Sequence, residues 1–179
     1  MYDLTFPVLI KTLRDARQLV EKGAAWADEK GVAASEFMTW RIYEDMMPLW
    51  EQVGCLKLLC SLAATNLAGQ ELSVVEVKVT GVGELYTLID KAIEELEGIT
   101  DAQIKVKEST AITCQMGPEY FSLPAMDFAR WFIIPHTFFH ITTLYNIMRM
   151  KGVPLGKKDY MLAYIHDVRG DVRQVVKQE

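Results

Sequence analysis

Two of the three histidines of this 179-residue chain, His136 and His140, stand four residues apart in one long apolar segment. In a helix this spacing places both imidazole rings on one face, with Cβ atoms about 6 Å apart. Such a pair can transfer protons, because imidazole titrates near neutral pH. It can also bind a divalent metal if a third ligand comes from another helix, or be a structural pair in an aromatic core. Pro135 cannot donate a hydrogen bond to the carbonyl of Trp131, so we expect the helix to open beside the pair.

A second group of polar and aromatic residues lies on both sides of Pro48. Asp45 is the third candidate catalytic residue, since a carboxylate can orient a histidine or stabilise its charged form. Arg41 is four residues from Asp45 and can pair with it. The candidate substrate-binding residues are Arg41, Tyr43, Trp50, Gln52 and Tyr145. If a divalent metal is bound, its predicted ligands are His136, His140 and Asp45.

Bulk properties exclude several classes of function. The net charge is −5 and the sequence pI about 5.3, which disfavours nucleic-acid binding. Residues 131–148 lack Asp, Glu, Lys and Arg, but they are short for a bilayer and contain several polar groups, so we predict a buried helix and no membrane span. The three cysteines have no C-x-x-C spacing, which favours a reducing, cytoplasmic location. The signatures of serine hydrolases, P-loop proteins, dinucleotide enzymes and zincins are absent.

Hydrophobic periodicity predicts the elements that must position these residues. Apolar residues recur at helical spacing over 6–30, 49–67 and 83–97, and a fourth helix begins near Pro118 or Pro124 and ends at Gly152. Shorter elements are predicted as a helix over 35–44, an extended piece over 70–80, a β-hairpin over 104–114 with its turn at 108–110, and a last helix over 158–176. We therefore expect a single domain over 1–179. Its fold class is all-α, a four-helix bundle with a short β-hairpin and an additional C-terminal helix.

Three sequence blocks resemble the DUF1993 family of helical proteins. They are Arg41-x-x-x-Asp45-Met46-x-Pro48-Leu49-x-x-Gln52, then Pro135-x-x-Phe138-Phe139-His140-x-Thr142-Thr143-x-Tyr145, then Gly152-Val153-Pro154-Leu155-Gly156-Lys157-Lys158-Asp159-Tyr160. The family is similar to the larger DinB/YfiT-like group, which implies a four-helix bundle with a site at its mouth. Many members of that group bind a divalent metal through three histidines, one of them on the second helix. Here the second helix offers Asp45 and Gln52 instead.

Three hypotheses of function follow, in order of preference. The first is a metal-independent acid–base enzyme of isomerase, dehydratase or cyclase type, acting on a largely apolar metabolite with His140, His136 and Asp45. The resemblance implies a role in small-molecule biosynthesis, as for some fungal members of the family. The second is a divalent-metal-dependent enzyme that uses the same three residues, and the third is a non-catalytic small-molecule-binding module. A small-molecule substrate is the expected partner, and a homodimer is the expected assembly if one forms.

Overall fold

A computed structural model describes residues 1–71 and 81–165, and it is mostly helical with one two-stranded hairpin. In chain order the elements are α1 (Tyr2–Glu29), α2 (Ala34–Thr39), α3 (Leu49–Ala63), α4 (Val82–Glu97), β1 (Ala111–Met116), β2 (Glu119–Pro124), α5 (Ala125–Asp127), α6 (Ile134–Met150) and α7 (Lys157–Tyr160). The long helices pack as a bundle, with α3 against α6 and α4, and α1 against α4 and α6. The predicted all-α bundle is confirmed.

The first helix follows its predicted apolar stripe. Leu9, Leu13, Ala16 and Val20 are all buried in the core, as the 3.6-residue period requires. The helix begins at Tyr2, four residues before its predicted start, so Pro7 lies inside it. Gly31 ends it at φ 71, a backbone conformation that suits glycine.

The segment before α3 differs from its prediction. The short helix spans only Ala34–Thr39, and residues 40–48 form an irregular loop up to the buried Pro48. α3 starts at Leu49, continues as a π-helical turn over Ala64–Ala68, and stops at Gly69 with φ 66. The predicted start and stop of this helix are confirmed. The extended piece predicted over 70–80 falls mainly on 72–80, outside the described residues.

The β-hairpin lies further along the chain than predicted. β1 pairs antiparallel with β2, with Cys114 opposite Phe121, and Gly117 supplies the left-handed turn at φ 59. Ile104 and Val106, which alternate with lysines, belong to no strand and pack half-buried against the core. Their alternation therefore reflects burial of one side of a loop rather than pairing.

The fourth bundle helix begins after Pro124, one of the two predicted starts. Its entrance is a π-helical stretch, Phe128–Ile133, directly before Pro135, so the missing proline N–H is accommodated by a wider turn rather than a sharp break. α6 is not apolar and buried all round, because Phe138 and Phe139 are exposed. The predicted C-terminal helix is represented by α7 and a helical turn at 162–165, and its remainder lies outside the described residues.

In the part of the chain that the structure describes, no helix is long and apolar enough to cross a membrane.

Candidate functional site

The two histidines of α6 lie half-buried on one side of the helix. The His136 ring packs edge-on against Phe132, with ring centroids 4.5 Å apart, and the His140 ring packs edge-on against Phe139 at 5.3 Å. The π-helical turn and Pro135 precede His136 directly, so the pair sits where the helix changes its winding. Within 1–71 and 81–165, His136 has no hydrogen-bond partner, and its ring nitrogens are left for solvent or a ligand.

His140 is held by a chain of hydrogen bonds from the start of α3. Its Nδ1 lies 2.8 Å from Oε1 of Gln52, and Nε2 of Gln52 donates to the carbonyl of Met47 at 2.9 Å. Only the amide NH2 group can donate to that carbonyl, so Oε1 must face the imidazole. Oε1 can only accept, and His140 therefore carries its proton on Nδ1. The lone pair is left on Nε2, where a base needs it.

Gln52 is a positioning residue because its own amide is immobilised. It is 2% exposed, in the first turns of α3, and both ends of its amide are hydrogen bonded. The Met47 carbonyl is available to it because residues 40–48 are a loop, whose backbone groups are not used in a helix.

Burial keeps both imidazoles neutral. Burial lowers the pKa of His140, and the nearby His136 lowers it further by charge repulsion. Burial also lowers the pKa of His136. Both rings are therefore neutral bases at neutral pH, and protonation of one disfavours protonation of the other.

Asp45 does not take the role predicted for it. It is exposed in the loop over 40–48, and no ion pair joins it to His136 or His140 in the described structure. The predicted helix over 35–44 would end directly before Asp45, whereas the observed helix ends at Thr39 and leaves Asp45 in the loop. The residue of this region that bonds to the imidazole is Gln52.

The predicted substrate-binding residues are not all brought to the histidines. The Arg41 guanidinium donates to the carbonyl of Glu44 at 3.3 Å, closing its own loop rather than pairing with Asp45. Tyr43 is exposed in the same loop, and Trp50 is half-buried in α3. Tyr145 donates to the carbonyl of Leu155 at 3.4 Å, which holds the loop after α6.

The donor set does not complete the metal site that the DinB/YfiT-like resemblance implies. α3 supplies Gln52 rather than a histidine, and the one oxygen of this amide already accepts from His140. Among residues 1–71 and 81–165, no group of three His, Cys, Asp or Glu side chains is placed to hold a metal ion. The predicted ligands His136, His140 and Asp45 therefore form no metal site here.

Two cavities lined by described residues lie away from the α6 histidines. One, of about 530 Å³, lies between the C-terminal end of the second bundle helix and the loop over 103–106. The other, of about 380 Å³, lies between α3 and the β-hairpin, and we call it the hairpin cleft. Its apolar walls are Leu58, Leu62, Cys114, Tyr120 and Phe128. The hairpin cleft was not predicted, because the predicted hairpin ended at residue 114, whereas the wall residue Tyr120 lies in the strand that follows.

The family of the chain follows from comparison with known proteins. The sequence model of a family described as "Domain of unknown function (DUF1993)" matches residues 1–161, and no curated protein matches the chain. A similar solved structure is the crystal structure of a DinB family member protein from Shewanella denitrificans, with a TM-score of 0.78 and 29% sequence identity over 89% of this chain and 90% of that one. The chain therefore belongs to the DUF1993 family, and its fold is a DinB-like helical bundle.

Proposed function

We propose that this protein is a metal-independent acid–base enzyme, of isomerase, dehydratase or cyclase type, that acts on a small and largely apolar metabolite. The observation that carries the proposal is the chain from the Met47 carbonyl through Gln52 to Nδ1 of His140. An amide that fixes the tautomer of a histidine leaves Nε2 pointing away as a general base.

The chemistry follows from the state of the two rings. Nε2 of His140 removes a proton from the substrate, and the resulting imidazolium keeps its Nδ1–H bond to Gln52. The same proton then returns to another substrate atom, which gives isomerisation or cyclisation, or to a leaving hydroxyl, which departs as water. His140 ends each cycle neutral, as it began, so no other reactant is consumed.

His136 is the second member of the site. It stays neutral while His140 carries the proton, because two neighbouring imidazolium charges repel each other. Its free ring nitrogens make it a hydrogen-bond partner for a substrate oxygen. The rings of Phe132 and Phe139, which contact the two imidazoles, favour an apolar substrate body.

A non-catalytic binding module is the second candidate. The hairpin cleft favours it, because this cavity is not lined by either α6 histidine. Uptake of a ligand in the cleft without any proton transfer at His140 would identify such a module. A cytoplasmic location and a role in small-molecule biosynthesis belong to the first proposal, and the three free thiols support the reducing location.

The test is exchange of carbon-bound protons with deuterated water, followed by NMR on a panel of apolar enolisable ketones. We expect the wild-type protein to accelerate the exchange and His140→Ala to lose it by a factor of about 10² to 10⁴. Gln70→Leu changes an exposed amide just beyond the C-terminal end of the second bundle helix and serves as the control, with no effect expected. Unchanged exchange in a folded His140→Ala protein would overturn the proposal.

A further inference from the structure

The solvent side of the seam between α3 and α6 exposes large apolar side chains. On α3, Leu58 is 57% exposed, and on the fourth bundle helix Trp131 is 63% exposed and Phe139 is 57% exposed. We call this surface the seam face, and its members are Met47, Cys55, Leu58, Trp131, Pro135 and Phe139.

Contacts across the seam connect the two sides of the seam face. The ring of Phe139 packs against the ring of His140, and Nδ1 of His140 lies 2.8 Å from Oε1 of Gln52. Gln52 donates in turn to the carbonyl of Met47. The candidate site therefore lies between the exposed side chains of Phe139 and Met47, and a ligand at the imidazoles would lie on the seam face.

The seam face also continues along each helix. The thiol of Cys55 donates to the sulfur of Met47 at 3.5 Å, and Leu58 follows Cys55 by three residues on the same side of α3. On the other helix, Trp131 and Phe139 are eight residues apart, which is about two turns where π-helical and α-helical winding meet. The exposed apolar groups thus form one surface rather than scattered side chains.

The size of the seam face suits a protein interface. Tyr120, which lines the hairpin cleft together with Leu58, is 70% exposed and extends the face. At about 200 Å² for a large aromatic side chain, the exposed parts of Trp131, Phe139 and Tyr120 amount to about 380 Å². This is about half of the roughly 800 Å² that each partner contributes to a standard interface, before Leu58 and Met47 are counted.

Composition and charge favour a second copy of this chain as the partner. Aromatic residues and methionine are enriched, and charged residues depleted, in the cores of interfaces. Glu51 lies at one end of the face, beside Gln52, and the Arg130 guanidinium lies at the other end, 4.7 Å from the Trp131 ring. A two-fold axis across the middle of the seam brings Arg130 of each copy toward Glu51 of the other, so the face is complementary to itself.

We propose that the seam face packs against the same face of a second copy, in a two-fold homodimer that closes the candidate site over His136 and His140. Closure excludes water from the imidazole rings and strengthens their hydrogen bonds to a bound substrate. The interface rests on the seam face alone, whereas its role in closing the site rests on the proposed function.

The first test is the molar mass, measured by light scattering after gel filtration from about 1 μM to about 200 μM protein. We expect the mass to rise toward twice the 20.4 kDa of one chain. The mass of a single chain at every concentration would overturn the proposal. Binding of such a monomer to phosphatidylcholine vesicles would assign the face to a lipid surface instead.

A matched pair of variants tests whether the seam face forms the interface. Leu58→Arg places a guanidinium on the face, and Leu4→Arg changes a leucine that is 56% exposed on α1. A charge buried without a partner is costly, so we expect Leu58→Arg to raise the dissociation constant of the dimer at least about 100-fold. Leu4→Arg should leave it unchanged, and equal behaviour of the two variants would contradict the assignment.

Alkylation of Cys55 by iodoacetamide locates the interface independently. Cys55 is half-buried, whereas Cys60 and Cys114 are buried, so mass spectrometry can follow the one accessible thiol of the seam face. We expect its alkylation to slow as the protein dimerises and to remain fast in Leu58→Arg. An unchanged rate in a dimeric protein would place the interface elsewhere and overturn the proposal.

Proton exchange separates the closure of the site from the interface. We expect monomeric Leu58→Arg to lose the exchange of carbon-bound protons, and exchange at the wild-type rate would contradict closure by the second copy. His140→Ala removes the base but should still dimerise. If the wild-type protein dimerises through the seam face without catalysing exchange, the acid–base proposal fails and the interface stands.

Discussion

His140 and Asp15 are both titratable side chains that are partly or fully buried, and burial shifts their pKa values in opposite directions. His140 is half-buried at the α3–α6 seam and receives one hydrogen-bond partner from α3. Asp15 is fully buried in α1, where its Oδ1 accepts from the backbone N–H of Ala163 at 2.7 Å. Oδ2 of Asp15 has no hydrogen-bond partner among the described residues.

Burial favours the neutral form in both regions. It lowers the pKa of His140, which makes the neutral base available. It raises the pKa of Asp15 to about 6, although hydrogen bonds from the amides of Ala163 and Leu162 act in the other direction. The same physical cause thus favours the unprotonated imidazole of His140 and the protonated carboxyl group of Asp15.

The difference lies in what remains accessible. His140 keeps a free nitrogen beside half-exposed surface, whereas Asp15 is enclosed and its one bonded oxygen caps the helical turn at 162–165. Tyr164 fixes the same turn to α1 through Thr12 and the carbonyl of Val8, at 3.0 Å each. The raised pKa of Asp15 thus accompanies the attachment of residues 162–165 to α1, whereas the lowered pKa of His140 supports the acid–base role that we propose for it.

The largest effect is expected at Asp15. Its pKa in the folded state lies above the usual 3.8, so its stabilising contribution is fully present below pH 3.8 and is lost as the pH rises through about 6. The difference in free energy of unfolding between wild type and Asp15→Asn should therefore change by up to about 3 kcal/mol between pH 4 and pH 7, in favour of the variant at pH 7. Urea unfolding at the two pH values measures it.

The histidines contribute equally to the pH dependence of the free energy of unfolding in wild type and Asp15→Asn, so their contributions cancel in the difference. Asp28→Asn, at an exposed position of α1, serves as the control and should show no comparable change. The account would be contradicted if the difference in free energy of unfolding between wild type and Asp15→Asn stayed constant with pH. Asp15 would then have an ordinary pKa in the folded protein.

A smaller effect is expected when the neutral partner of His140 is replaced by a charged one. Gln52→Glu places a carboxylate against Nδ1, which stabilises the imidazolium and should raise the pKa of His140 by about 1 unit or more. NMR titration of the imidazole resonances measures this pKa. Gln52 bonds to His140 and not to His136, so the pKa of His136 should change much less. Equal changes at both rings would contradict the contact between Gln52 and His140.

The long helices of the bundle were predicted well, because apolar residues recur in them at a regular helical spacing. The stripe of α1 from Leu9 to Val20 is buried as expected, and α4 differs by one residue at its start. Short elements were less predictable. The alternation of apolar and charged residues around Ile104 was interpreted as a strand, although this segment is a loop. The turn at Gly117 was missed because it lies between two strands, and only the first of them was partly predicted.

The candidate site was predicted in part. The spacing of His136 and His140 placed both rings on one face, but the choice between Asp45 and Gln52 depended on where one short helix ends. Gln52 and His140 are 88 residues apart, and no local pattern links them. The hairpin cleft needs three separated segments to meet, which local periodicity does not encode.

The tautomer of His140 tests the central claim most directly. Long-range ¹H–¹⁵N correlation NMR on the unmodified protein at pH 7.5 distinguishes a protonated Nδ1 from a protonated Nε2. We predict a neutral His140 with its proton on Nδ1, bonded to Gln52, and an unprotonated Nε2. A proton on Nε2, or an equal mixture of the two tautomers, would contradict the role of Gln52 and remove the basis for His140 as the base.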